Sequence, residues 1–173
     1  RLRKLAVTGG RYGIHVASEG GGTLAGVEIS NVSVTDCTGG PDEEAVGVWV
    51  QDAQDLSITD LTIDAISGGD GVVGTVEDGE GLPGGDAVGL RLQEVDGFVL
   101  QSLIVDDVRG GDAEQIYAAR HAGGDAVGIW LEDAPDGSLS ASTITQIVGG
   151  HGAEGGWYPN HGDGRGGPGG HAT

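Results

Sequence analysis

Apolar and polar positions alternate in short segments that recur along the chain. Ala45-Val46-Gly47-Val48-Trp49-Val50, Ala87-Val88-Gly89-Leu90-Arg91-Leu92 and Ala126-Val127-Gly128-Ile129-Trp130-Leu131 share one opening. Val46, Val48 and Val50 fall on one face, with Gly47 and Trp49 on the other, and this period of two predicts a strand. Counted from the anchor glycine, apolar residues then recur at +9, +11, +14, +16 and +19. After Gly47 these are Leu56, Ile58, Leu61, Ile63 and Ile66; after Gly89 they are Phe98, Leu100, Leu103, Val105 and Val108. A looser first copy, anchored at Gly13 and carrying five extra residues near 19–23, supplies Val27, Ile29, Val32, Val34 and Cys37. The last copy keeps Leu139, Ile144 and Ile147, while Gly137 and Ser142 interrupt the series.

The step of three between +11 and +14 breaks the alternation and predicts a corner. Asn31, Asp60 and Ser102 stand just before +14, where a turn accepts short polar side chains. In the three Ala-Val-Gly copies a Gly-Gly pair begins 21 residues after the anchor glycine. One such unit cannot bury its own apolar face, but stacked copies can. The expected fold is all-β: a right-handed parallel β-helix solenoid, its hand following the usual preference of parallel crossovers. It would have about four rungs, near 11–40, 45–69, 87–111 and 126–150, spaced by roughly 4.8 Å. Residues 5–10 look like the tail of a preceding copy and residues 169–173 like the start of another. The whole of 1–173 thus reads as one segment of a longer array, with partial rungs at both ends. Glycine-rich inserts at 41–44, 70–86, 112–125 and 151–171 leave from the same repeat position, which places these loops on one face.

Composition narrows the partners. The net charge of −19 argues against nucleic acid and favours solvation, cations or basic surfaces. Thirty-seven glycines without a strict three-residue period exclude collagen as the fold. The single cysteine, Cys37, has no partner for an intrachain disulfide and falls in an apolar column. No apolar run approaches the roughly 18 residues of a membrane-spanning helix.

The openings "GGDAVGLRL" and "GGDAVGIWL", with the close "LSITDLTIDAISGG", give the chain a resemblance to a known group. It is similar to the right-handed β-helix repeats of the pectate-lyase-like superfamily. Within that group it resembles the glycine-rich forms of large bacterial surface and secreted proteins. The resemblance implies an extracellular or cell-surface location. It also implies either a non-catalytic scaffold or a polysaccharide lyase or glycoside hydrolase.

Three sets of residues carry candidate chemistry. His15, Trp49, Arg91 and Trp130 share one outward column, one per rung. Exposed rings on a rigid surface suit stacking on sugar, and Arg91 between two tryptophans suits cation–π contact. The competing reading has the loops folding over these rings. Glu44, Asp86 and Asp125 recur three residues before each anchor, and Asp52, Glu94 and Asp133 five residues after it. Stacked carboxylates suggest Ca²⁺, with solvated turn residues, or turn formers bonded to nearby amides, as the plainer reading. His151, His161 and His171 recur every ten residues, a spacing that matches no familiar ligand set. Asp106-Asp107 is the adjacent acidic pair that a hydrolase reading would use, but alternation points the two side chains opposite ways.

The expectation is a non-catalytic extracellular or cell-surface scaffold or adhesive element, with no cofactor required. It would self-associate through rung ends or the glycine-rich face. The alternative is a carbohydrate-binding or carbohydrate-active β-helix.

Overall fold

The computed structural model describes residues 1–72, 82–114, 121–152 and 169–173. These residues form strands and loops without a helix. The strands are β1 (Leu2–Thr8), β2 (Tyr12–Val16), β3 (Leu24–Ala25), β4 (Glu28–Thr38), β5 (Ala45–Ser67), β6 (Ala87–Arg109), β7 (Ala126–Glu132), β8 (Gly137–Ser140), β9 (Thr143–Ile144) and β10 (Ile147–Val148). All belong to one sheet, and every pairing in it is parallel.

The register follows the repeat. Val48 pairs with Leu90 and Leu90 with Ile129; Ile58 pairs with Leu100 and Leu100 with Leu139. Each pass of the chain therefore lays the same offset beside the previous one. Leu2 pairs with Ile29 and Val7 with Val34, so residues 2–8 occupy the columns of a preceding copy. Ala172 bridges to Ala126, which puts residues 171–173 alongside the opening of β7.

The long strands β5 and β6 are not straight. Asp52, Asp55, Asp60 and Ala65 interrupt β5 with φ between 52° and 54°. Glu94, Gly97, Ser102 and Asp107 do the same at the matching offsets of β6, with φ between 50° and 72°. A single left-handed residue redirects an extended chain without a loop, and Asp, Asn and Gly adopt that conformation most readily. The corner before +14 is thus present at Asn31, Asp60 and Ser102, with φ of 53–55°. Three further corner columns accompany it. The +5 acids Asp52, Glu94 and Asp133 are one of them, which gives these residues a backbone role.

The interior is wholly apolar among the described residues: no polar or charged residue is buried. Ile29, Ile58, Leu61, Ile63, Ile66, Leu90, Leu92, Leu103, Val105 and Val108 are inaccessible to solvent, and Cys37 joins the +19 column as expected. Burying each such aliphatic side chain contributes roughly 1.5–3 kcal/mol. Burial also pushes the Cys37 thiol above its ordinary pKa, with Asp36 adding to the effect.

The opening segment departs from the predicted alternation. Val46 and Val88 are fully buried, yet they lie outside the core cluster, which takes Ala45, Val48 and Val50 instead. The anchor glycine causes this change of phase. A Cβ on Gly89 would stand 2.5 Å from Val105 Cγ1 and 2.6 Å from the Gly128 carbonyl oxygen. The backbone presses against the core there, so the inward position passes from Ala45 to Gly47 and on to Val48. The apparent defect at Gly137 also has a cause. The Phe98 ring of the preceding pass fills the volume that a side chain at Gly137 would need.

Candidate functional site

The outward column forms as the sequence predicts. Register pairs His15 with Trp49, Trp49 with Arg91 and Arg91 with Trp130. The His15 and Trp49 rings stack with centroids 4.4 Å apart and planes 19° from parallel. The Arg91 guanidinium lies 5.4 Å from the Trp49 centroid and 4.9 Å from that of Trp130. Tyr12 adds a fourth ring, 5.8 Å from Trp49, which the sequence reading did not include. Because β2 and β6 flank β5 on opposite edges, His15 and Arg91 occupy the two faces of Trp49. Trp49 therefore offers its edge, not a face, to the outside, and its Nε1 is buried without a hydrogen-bond partner. Trp130 remains 39% exposed.

Glu44 locks this column. Its Oε2 accepts from Arg91 Nη1 at 2.9 Å, and its Oε1 accepts from Nη2. The two side chains are only 23% and 12% exposed, so the bidentate pair is largely shielded from water. Glu44 comes from the short 41–44 insert, so that insert is tied to the column through Arg91.

The other two acids of the same offset act differently. Asp86 Oδ1 accepts the Asp125 amide at 2.8 Å, and Asp125 Oδ1 accepts the His171 amide at 2.8 Å. A second ladder, on the outgoing side of the inserts, repeats this. Asp70 Oδ1 accepts the Asp112 amide at 2.9 Å, and Asp112 Oδ1 accepts the His151 amide at 2.7 Å. The His151 amide, then its ring 3.0 Å from the same oxygen, helps hold the Asp112 carboxyl below its ordinary pKa. Each aspartate thus ties one pass to the next through a charge-assisted bond.

Beside these ladders the Gly-Gly pairs interdigitate. Gly85 N–H donates to Gly69 O at 2.7 Å, Gly111 to Gly85 at 2.8 Å and Gly124 to Gly111 at 2.8 Å. Gly150 then donates to Gly124 at 2.8 Å and Gly170 to Gly150 at 2.7 Å. Outgoing and returning stems alternate along this line, so the bases of the inserts form a hydrogen-bonded layer of their own. Sequence reasoning took the Gly-Gly pairs only as punctuation. The signal that could have revealed the layer is the recurrence of Gly-Gly-Asp at both ends of an insert, as in 68–70 and 84–86.

Asp42, Glu44, Asp86 and Asp125 line an open cleft of about 410 Å³ with Pro83, Gly84, Gly85, Ala122 and Gly123. Among the described residues that line it there is no lysine or arginine. Among the described residues no three His, Cys, Asp or Glu side chains gather closely enough to hold a metal ion. Asp106 Oδ1 is taken by Thr145, Gln146 and the Asp107 amide, and the Asp107 carboxylate by Arg109. His161, Tyr117, Trp157, Tyr158 and most of 162–170 lie outside the described residues.

The +5 column carries one electrostatic conflict. The hydrogen bond to Asp52 is the main factor raising the Glu94 carboxyl above its ordinary pKa; repulsion from Asp52, Asp133 and Glu132 adds to it. A folded-state pKa above the unfolded value means that the native state holds this proton more tightly. Stability must then fall as pH rises from the ordinary glutamate range through the raised value. We expect Asp52→Asn to flatten the melting temperature over that window and to raise it at neutral pH. An unchanged slope in a pH series of thermal melts would refute the coupling of Glu94 to Asp52.

No helix among the described residues is long and apolar enough to cross a membrane. No protein-family model, curated protein or solved structure matches the chain.

Proposed function

We propose that this chain is a non-catalytic extracellular or cell-surface scaffold, built as a right-handed parallel β-helix solenoid. The observation that carries the reading is the in-register stack itself. Two 23-residue strands, β5 and β6, share every column from opening to close, turn at four matching left-handed residues and enclose an apolar interior. Several polar side chains hold neighbouring passes together: Glu44 engages Arg91, and Asp70, Asp86, Asp112 and Asp125 accept amides of the next pass. Such a unit lengthens by repetition and presents its inserts along one face. The outside location follows the resemblance in the repeat openings and suits the acidic surface.

Duplicating residues 87–125 tests this directly. The lengthened chain should keep its β-sheet circular dichroism and cooperative melting, and should extend by one layer of about 4.8 Å in small-angle scattering. Loss of cooperative folding, or added mass without added length, would refute the solenoid. An experimental structure with left-handed passes would refute its hand.

The second reading, carbohydrate binding, is favoured by the exposure of Tyr12 and Trp130, at 37% and 39%. It predicts that Tyr12→Ala with Trp130→Ala lowers retention on immobilised polysaccharide, a result that the scaffold reading does not produce.

A further inference from the structure

We infer that Asn31 is an acceptor site for an N-linked glycan, taken from an activated sugar donor with a phosphate leaving group. The inference rests on the outside location proposed for the scaffold, since such glycans belong to exported chains. Asn31-Val32-Ser33 has the Asn-x-Ser spacing, with valine and not proline between, that marks an asparagine for this modification. The chain's other asparagine, Asn160, is followed by His161-Gly162 and lacks the hydroxyl two residues on. In the transfer the Asn31 amide nitrogen bonds to the anomeric carbon of the sugar. The anomeric C–O bond breaks, the phosphate leaves with the electron pair, and the amide gives one proton to a base of the transferase.

A glycan fits here without disturbing the stack. Asn31 is exposed and stands at the corner before +14 with φ of 55°. Val32, only 3% exposed, joins the core, and Ser33 is again partly exposed. The apolar residue thus pins the middle of the triplet while its polar neighbours reach the outside. Register sets Asn31 between Lys4 and Asp60, which hold the same left-handed corner in the passes on either side. The aromatic column stands at +2 and the inserts follow +21, so a glycan at this corner grows from a separate part of the stack.

The residue type at this corner points the same way. Among the described residues, eight aspartates and a single asparagine hold a positive φ. Aspartate takes the left-handed conformation as asparagine does, and the next pass uses it at Asp60. The turn alone therefore does not call for an amide at 31. Nor does a contact within the fold. Asp36 accepts from the Thr8 and Thr35 hydroxyls and Asp107 from Arg109, whereas no side-chain hydrogen bond engages the Asn31 amide among the described residues.

Peptide mass spectrometry of the full chain, recovered from the cells that make it and from their medium, tests the inference. The peptide that holds Asn31 should carry a sugar mass. A block of several sugars identifies a lipid-linked donor, and single hexoses identify a nucleotide-linked one. Asn31→Asp, the residue type of the neighbouring corner, should lose the sugar completely, as should Ser33→Ala; Ser33→Thr should keep it. Circular dichroism melts of Asn31→Asp and Ser33→Ala should match that of the deglycosylated parent, which shows that the loss is not one of folding. A sugar that persists in Ser33→Ala would overturn the inference. A bare Asn31 on exported chain would overturn it and leave the location standing. A bare Asn31 on chain found only in the cytosol would overturn both.

Discussion

Gly69→Ala should lower stability by about 3 kcal/mol and the melting temperature by roughly 10 °C. Gly69 lies where outgoing and returning stems cross. Its N–H donates to Glu43 O at 3.0 Å, and its carbonyl accepts from Gly85 N–H at 2.7 Å. A Cβ added here would overlap the Gly40 carbonyl group. That neighbour is backbone, so no side-chain rotation relieves the clash. The stem must move, and movement breaks both hydrogen bonds as well as the line of bonds that continues to Gly170. Gly22→Ala provides the contrast, because its added Cβ would meet only Ser18 Oγ at 3.4 Å; we expect it to change stability by less than about 0.5 kcal/mol. Thermal and urea melts of the two variants check the pair. Equal effects would mean that the glycine layer adds nothing beyond chain flexibility.

The stem layer also shows where sequence reasoning stops. Apolar columns are legible because each inward position repeats at a fixed offset and only burial explains the repetition. The parallel register of β5 on β6 follows from those offsets. Glycine gives no such signal, since a residue without a side chain reads alike whether it permits a turn or a close approach. The anchor glycines carried the phase of the opening strand for the same reason: nothing in Ala-Val-Gly says that Gly89 faces Val105. The corner columns were half visible. Asn31 and Asp60 announce a turn by type, but Ala65 and Gln146 hold the same left-handed conformation and announce nothing. The outward column was legible as a column, because alternation places His15, Trp49, Arg91 and Trp130 together. Its closure was not, because closure depends on Glu44 rather than aspartate standing before the second anchor. Glu44 meets Arg91 in the pass that follows it, whereas the pass after Asp86 carries Trp130 at that column, and Asp86 and Asp125 bond to backbone amides.

Arg91→Ala should cost a further class of stability, about 3 kcal/mol, and should change the tryptophan emission. The guanidinium makes a two-point ion pair with Glu44 and lies against both Trp49 and Trp130. Removing it leaves the Glu44 carboxylate in a partly covered position without its counter-charge, a loss that approaches 3–5 kcal/mol for buried pairs and is smaller here because water reaches both groups. The contacts with the two rings add roughly 0.5–1 kcal/mol each. Glu44→Gln isolates the charge, since it keeps the shape of the side chain and one hydrogen bond. A double-mutant cycle over Glu44 and Arg91, read from urea melts, should therefore give a coupling energy above about 1 kcal/mol. Emission of Trp49 should shift to the red in Arg91→Ala as water reaches a ring face that the guanidinium had covered. A coupling near zero with unshifted emission would mean that the column is a solvated surface, and its rings would then be open to a ligand. A strong coupling instead makes Glu44 and Arg91 a clasp that ties the first insert to the third pass. In that case the aromatic column belongs to the scaffold, and any ligand must find its site elsewhere on the insert-bearing face.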